Sequence, residues 1–472
     1  MLRKINDFEQ RYYKFLTELK NEILTGRIKP GEFILPENTL SKQYDLSRVS
    51  IRKVLAELVE EGLIEKIPGK GNRVTLPQET SKQTLTLAWF SDSYEKEIVE
   101  QIIKRFEQLN PFVKIELQLL PVTDYMYSVA QLIEHGHGPD LFIVSDYHFR
   151  ELIETNRLDL LEPYIPMHLD AEKDSYQKVF DMFTADGNTI ATPFVFSPVM
   201  ICYNKRMFEE AGIENSFKMD NWDDLLTVAS KCTKDMDENG LVDQYGFCFS
   251  SSSNRWPVFI LQNNGQFMLE DRPKSVMNNP KNIEALSFCV DLMYKHKVSP
   301  IFSHGSNELA ENLFMRERAA MILTTYYFMN EFRDHKIKWD VLPVPAKESK
   351  ATLLLGGALG INAKSEMKEM AKALIDYMVS TEAQTMLKRN GCTIPILRFV
   401  AEDNYLLQPG VHPDNYNAFK EIMPNAYTIR DLGLTTSETE LVENELQLLW
   451  ANMERTEDVC KRIEKILNEK AN

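Results

Sequence analysis

The chain has 472 residues, 43% of them apolar and 26% charged, and a formal charge of −16. That length allows two or three domains with cores of their own, and the composition is that of an ordinary globular protein. Six dispersed cysteines with no C-x-x-C pair suggest neither a disulfide framework nor a zinc ribbon, and reduced core thiols are expected. No apolar run approaches bilayer length, and the opening MLRKINDFEQRYYKF lacks a signal peptide's apolar core, so a cytoplasmic protein with no membrane partner is expected.

The charge is uneven. Of 54 lysines and arginines and 70 aspartates and glutamates, residues 1–80 hold 14 and 12, leaving 40 and 58 for the remaining 392 residues. An acidic body repels nucleic acid at long range, so any DNA contact must come from the slightly basic first segment.

In that segment the spacing of Phe8, Tyr12, Phe15, Leu16, Leu19 and Ile23 predicts a helix over 6–25, ended by Gly26. A short helix over 39–44 follows, then a tight turn through Asp45 and Leu46. Ser47 is placed to cap a third helix over 48–61, in which Ile51, Val54, Leu55 and Leu58 make a core face. Arg48 and Arg52, four apart, share another side, with Lys53 close by. Strands over 64–67 and 72–74 flank Gly69-Lys70-Gly71, a tip that turns tightly and lets backbone approach a partner. This order is a winged helix-turn-helix. Such a motif lays its third helix in the major groove, where arginine bridges guanine O6 and N7, while the wing reaches phosphate or the minor groove.

The stretch GRIKPGEFILPENTLSKQYDLSRVSIRKVLAELVEEGLIEKIPGKGNRV resembles the DNA-binding domain of the GntR family of bacterial transcription regulators. Ser47, Arg48, Ser50, Ile51 and Arg52 match its S-R-x-[ST]-[VI]-R signature, and Gly69, Lys70 and Gly71 match its wing. The resemblance implies operator contacts from Glu37, Asn38, Ser47, Arg48, Ser50, Arg52, Lys53, Lys70, Gly71 and Asn72, made by a homodimer on a two-fold site. Asn38 stands where the family often has arginine, which implies an altered operator preference.

A polar linker over 78–83 leads into alternating strands and helices: LTLAWF, a helix over 95–109, VKIELQLL, a helix through 129–133, then DLFIVS. This is the pattern of a mostly parallel α/β sheet, whose ligands sit at the carboxyl ends of strands, beside Trp89–Asp92 and Ser145–Tyr147. The phrases GPDLFIVS, NTIATPFVFSPVMICYNKRMFEEAGI, RAAMILTTYYF, GGALGINAKS and STEAQTMLKRNGCTIP occur in the order found in family-1 extracellular solute-binding proteins. Over about 84–472 the chain thus resembles the carbohydrate receptors of ABC importers. The resemblance implies a multidomain chain: a winged-helix (α+β) head over 1–77, then a two-lobed α/β, type II periplasmic-binding-protein-like domain. Lobe one would comprise about 84–193 and 356–395, and lobe two about 194–355 and 396–472. Trp89, Asp92, Asp146, Phe196, Trp256 and Tyr327 are the implied sugar contacts, with aromatic faces for C–H surfaces and carboxylates for hydroxyls. Ala358 stands where an aromatic is frequent.

DMDENGLVD offers Asp235, Asp237, Asn239 and Asp243 at alternating positions, with Gly240 at the sharp turn and Leu241 presenting its carbonyl. That suits a structural Ca²⁺ ion, although the twelfth position, which holds a bidentate glutamate in an EF-hand, is Gly246. No other cofactor is required. The chain lacks an S-x-S-K-like segment, a G-x-S-x-G elbow and a phosphate-binding P-loop, which argues against an enzyme, including a pyridoxal-phosphate aminotransferase fused to such a head. The expectation is a DNA-binding regulator, a repressor by resemblance, whose operator affinity answers to a bound mono- or oligosaccharide. The alternative is a protein that sequesters carbohydrate beneath a vestigial head.

Overall fold

The computed structural model describes residues 2–76, 82–214, 217–269, 274–301 and 309–470. The helices that position the sites are α1 (Leu2–Leu24), α2 (Glu37–Gln43), α3 (Arg48–Glu60), α4 (Lys96–Leu109), α5 (Tyr125–Glu134) and α6 (Asp146–Glu154). The strands are β1 (Ile64–Ile67), β2 (Gly71–Val74), β3 (Gln83–Phe90), β4 (Val113–Leu120), β5 (Leu141–Ser145), β6 (Thr192–Asn204), β7 (Met321–Thr325), β8 (Trp339–Leu342) and β9 (Thr352–Asn362). Among the described residues no helix is long and apolar enough to cross a membrane.

The chain packs as two compact units, one of Met1–Ile143, Leu160–Pro166 and Gly360–Ser380, the other of Val144–Asp159, Met167–Leu359 and Thr381–Asn472. This grouping differs from the expected lobes. Residues 144–159, 167–193, 356–359 and 381–395, assigned to lobe one from sequence, belong to the second unit. Strand pairing accounts for part of it: β6 and β9 pair antiparallel from Leu354↔Pro198 to Leu359↔Thr192, with a register shift between Gly357 and Ala358, which ties residues 192–193 and 356–359 to the second unit. Of the expected linker, residues 78–81 lie outside the described residues, and Gln83 already begins β3.

In the first unit Phe15, Leu19 and Ile23 of α1 are buried with Ile51, Val54, Leu55 and Leu58 of α3, the helical spacing that the sequence announces. Phe8 is 41% exposed, so the predicted apolar face loses its first turn to solvent. Asp45 takes a left-handed φ of 49°, and Ser47 then caps α3 by accepting from the Ser50 N–H at 3.1 Å. The wing pairs Ile64↔Val74 through Ile67↔Gly71, and Gly69 and Gly71, at φ 73° and 113°, make the turn possible. Beyond it β3 pairs in parallel with β4 along its whole length and with β5 at Leu87↔Leu141, while α4 buries Ile98, Val99, Ile102, Ile103 and Phe106.

In the second unit β6 also pairs antiparallel with β7 and β8, and every residue of β6 except Tyr203 is buried. Around it lies a core in which Trp222 stacks on Phe288 at 4.3 Å and donates from Nε1 to Gln262 at 2.8 Å. All six cysteines are buried thiols.

Gly246 packs so closely on the helix Trp222–Cys232 that a Cβ would lie 1.8 Å from the Ala229 carbonyl oxygen. The obstacle is backbone, which cannot rotate aside. Gly246→Ala is therefore expected to destabilise the chain by about 3 kcal/mol, the upper end for overpacking, read as a lowered midpoint of thermal unfolding.

Candidate nucleic-acid and ligand sites

The DNA-facing candidates gather where α2 meets the start of α3. Arg48 and Arg52 stand on one side of α3 with side chains 57% and 60% exposed. Both approach the Glu37 carboxylate: Arg52 Nε donates to Oε2 at 2.8 Å, and the Arg48 guanidinium lies 4.0 Å from the same oxygen. Exposed ion pairs contribute about 0–1 kcal/mol, so Glu37 orients these arginines more than it stabilises the fold. Asn38, Ser47, Lys70 and Gly71 are exposed, and Asn72 is half-buried in the wing. Lys53 is also exposed, its Nζ 5.8 Å from the Tyr12 ring centroid. Ser50 departs from its expected role: it is 8% exposed, and its hydroxyl lies 2.8 Å from that of Ser47, so it shapes the helix start.

The six expected sugar contacts fall in both units. In the first, Trp89 is 2% exposed at the end of β3 and donates from Nε1 to Ser93 Oγ at 3.0 Å. Asp92 is exposed and accepts from the Ser91 hydroxyl. In the second, Phe196 and Trp256 are core residues. Phe196 is fully buried between Tyr176 and Phe419, and Trp256 packs between Phe267 and Trp450, so neither offers an open face to a ligand. Their aromatic character serves packing.

Asp146 and Tyr327 do converge, on consecutive residues of β9. The Gly356 N–H donates to Asp146 Oδ1 at 3.1 Å, and the half-buried Tyr327 hydroxyl donates to the Leu355 carbonyl at 3.4 Å. Asp146 opens α6, whose N-cap Ser145 accepts from the His148 N–H at 3.2 Å and lies 2.9 Å from His148 Nδ1. Burial holds the His148 imidazole neutral, down at about 4. Burial likewise pushes the Asp146 carboxyl up to about 6, against the opposing pull of the Gly356 N–H and the Arg150 charge.

Asp146 also lines a cavity of about 360 Å³ within the second unit, walled by Phe149, Ile153, Met182, Ile429 and Leu434. Its polar edge includes Arg150 and Glu154, which sequence reasoning passed over. Arg150, 8% exposed, donates to the Ile429 and Leu434 carbonyls at 3.4 and 3.2 Å and to Thr439 Oγ1 at 3.4 Å. Its Nε lies 3.7 Å from Glu154, whose carboxylate accepts from the Thr436 N–H at 2.8 Å, at the start of the helix Thr436–Trp450. A carboxylate there also meets the positive end of the helix dipole. The signal was available: Asp146, Arg150 and Glu154 recur every four residues and share one helix face. The cavity's apolar wall and convergent polar groups are those of a small-molecule site.

The acidic loop of the second unit brings oxygens of Asp235, Asp237 and Asp243 within 4.8 Å of one another, a donor set that suits a hard cation. Gly240 N–H donates to Asp235 at 2.8 Å, Leu241 N–H to Asn239 at 2.8 Å, and Met236 N–H to Asp243 at 2.8 Å. The clash at Gly246 bars a glutamate from the twelfth position, so the loop cannot complete an EF-hand.

The Asp146 carboxyl ionises near pH 4 in the unfolded chain and near 6 when folded. Between those values the folded state holds the extra proton, so this group's stabilisation is full below about pH 4 and is lost as pH rises through about 6. Asp146→Asn keeps an oxygen for the Gly356 N–H. It should raise the thermal midpoint at pH 7 and flatten its dependence between about pH 4 and 6.

Two family models match the chain: bacterial extracellular solute-binding protein over residues 92–385, and bacterial regulatory proteins, gntR family, over residues 13–74. A binding protein of Brucella abortus is 24% identical over 339 residues, 69% of this chain and 78% of that protein. The HTH-type transcriptional repressor NagR of Bacillus subtilis is 34% identical over 76 residues, 16% of this chain and 31% of NagR. The solved ABC substrate-binding protein Lmo0181 from Listeria monocytogenes, in complex with cycloalternan, matches with a TM-score of 0.71 and 26% identity, over 82% of this chain and 99% of that one. With a solute-binding fold over most of its length and a winged helix ahead of it, the chain belongs to the bacterial extracellular solute-binding proteins and carries a GntR-family DNA-binding head.

Proposed function

We propose that this chain is a transcription regulator whose operator affinity is set by a carbohydrate held in its solute-binding domain. The observation that carries this reading is the packing of the head and the β3–β4 pair into one compact unit. At Gly26, where α1 ends with a left-handed φ of 70°, a Cβ would lie 3.3 Å from the Leu109 carbonyl oxygen and 3.5 Å from Asn110 Oδ1. The end of α1 therefore abuts the end of α4, and α1 also touches the helix Lys368–Met378. A head fastened in this way follows whatever the ligand does to the strand pair beneath it.

The likeness to Lmo0181, solved with cycloalternan, supports a carbohydrate as ligand, and the likeness of the head to NagR, a repressor, supports release from DNA as the response. The protein acts as a homodimer on a two-fold operator, in the cytoplasm where that DNA lies. Carbohydrate and operator are then coupled by about 1–3 kcal/mol, a change in operator affinity of about 5–150-fold. A thermal-shift screen of saccharides followed by mobility-shift titration on the protein's upstream DNA at fixed salt measures it. Arg48→Ala and Arg52→Ala should each abolish specific DNA binding and leave saccharide binding intact. Should a bound saccharide leave operator affinity unchanged, the chain sequesters carbohydrate and regulates nothing by it.

A Ca²⁺ ion held by Asp235, Asp237 and Asp243 forms part of the same proposal, in a structural role. Added calcium is expected to raise the thermal midpoint, and Asp237→Asn to cancel that rise.

A further inference from the structure

The first turn of α3 carries one residue that neither packing nor charge explains. Val49 is 75% exposed in the first turn of the helix, the turn that a helix-turn-helix presents to base edges. Val49, Arg52, Lys53 and Ala56 recur at i, i+3, i+4 and i+7, and all four are exposed, opposite the buried face of Ile51, Val54, Leu55 and Leu58. Valine is a poorer helix former than alanine or the charged residues beside it, so the local structure gains nothing from it. Arg48 and Arg52 lean to the Glu37 carboxylate on α2, while Val49 lies on the helix face between Arg52 and Lys53.

An apolar side chain set between cations that seek guanine and phosphate matches one feature of the major groove, the C5-methyl group of thymine. We infer that Val49 packs on a thymine methyl in each operator half-site and specifies a T·A pair beside the base pair read by the arginines. The inference rests on the regulator reading above and adds a base preference to it.

The test uses the full chain and an operator selected from random duplexes. Each thymine of the half-site is replaced singly by deoxyuridine, which removes only the methyl, and competition mobility shifts are run at fixed salt with wild type and Val49→Ala. Wild type should lose about fourfold in affinity at one thymine per half-site, the Boltzmann factor for one buried methyl group. Val49→Ala should bind the thymine and deoxyuridine duplexes alike, with an unchanged salt slope because no phosphate contact is lost. The inference is overturned if no thymine shows a methyl effect with wild type, or if the effect persists in Val49→Ala. Failure to select any specific duplex overturns the regulator reading itself, an outcome distinct from a selected operator without a methyl effect.

Discussion

Arg150 is the constraint on which the cavity of the second unit rests. Taking a guanidinium out of water costs several kcal/mol unless its donors are met. At 8% exposure its Nη groups donate to two backbone carbonyls, of Ile429 and Leu434, and to the Thr439 hydroxyl, while Nε makes no hydrogen bond and stands 3.7 Å from the Glu154 carboxylate. The carbonyls and the hydroxyl lie some 279 to 289 residues further along the chain. The Ile429 carbonyl belongs to the 3-10 turn Ile429–Leu432, and Leu434 follows directly after it, so the guanidinium grips one short capped segment. Glu154, one turn on, accepts from the first N–H of the helix Thr436–Trp450. The segment 428–435 is thereby held over α6, and the space left between them is the cavity.

The same arrangement accounts for the character of Asp146. It is half-buried at the head of α6, with one oxygen taken by the Gly356 N–H, and burial outweighs both that bond and the Arg150 charge. A carboxyl raised in this way at the edge of a cavity spends folding stability on polar chemistry, a common trade at binding sites. The absence of a side chain at Gly356 belongs to the same design: a Cβ there would come within 2.5 Å of Met182 Cε and 3.1 Å of the Phe183 ring.

The head shows a comparable economy at smaller scale. Arg48 and Arg52 already have an anion in Glu37, at 4.0 and 2.8 Å, and exposed pairs of this kind are held weakly. On the proposed reading a duplex must displace that carboxylate, which penalises phosphate alone and favours a base edge able to take a bidentate arginine. The acidic body adds a general repulsion, so the few cations of α3 and the wing must supply the affinity.

The winged helix was almost wholly legible in the sequence, because its determinants are local. The Ser47 cap, the apolar face of Ile51, Val54, Leu55 and Leu58 and the glycines of the wing each act within a few residues, and the observed elements agree with them to within a residue or two, apart from an earlier start to α1 and α2. The parallel strands and α4 were legible for the same reason. Residue type at strand ends singled out Asp146, which lines the cavity, and its spacing to Arg150 and Glu154 was also on the page as a four-residue ladder. Which aromatics stand open and which are core could not be read there: Phe196 and Trp256 look like stacking faces until β6 and the helix Thr436–Trp450 bury them. By itself the sequence determined the two modules and the winged helix of the first. Only the tertiary structure decided the cavity of the second unit, because Arg150 finds its partners across nearly three hundred residues, a distance at which no periodicity survives.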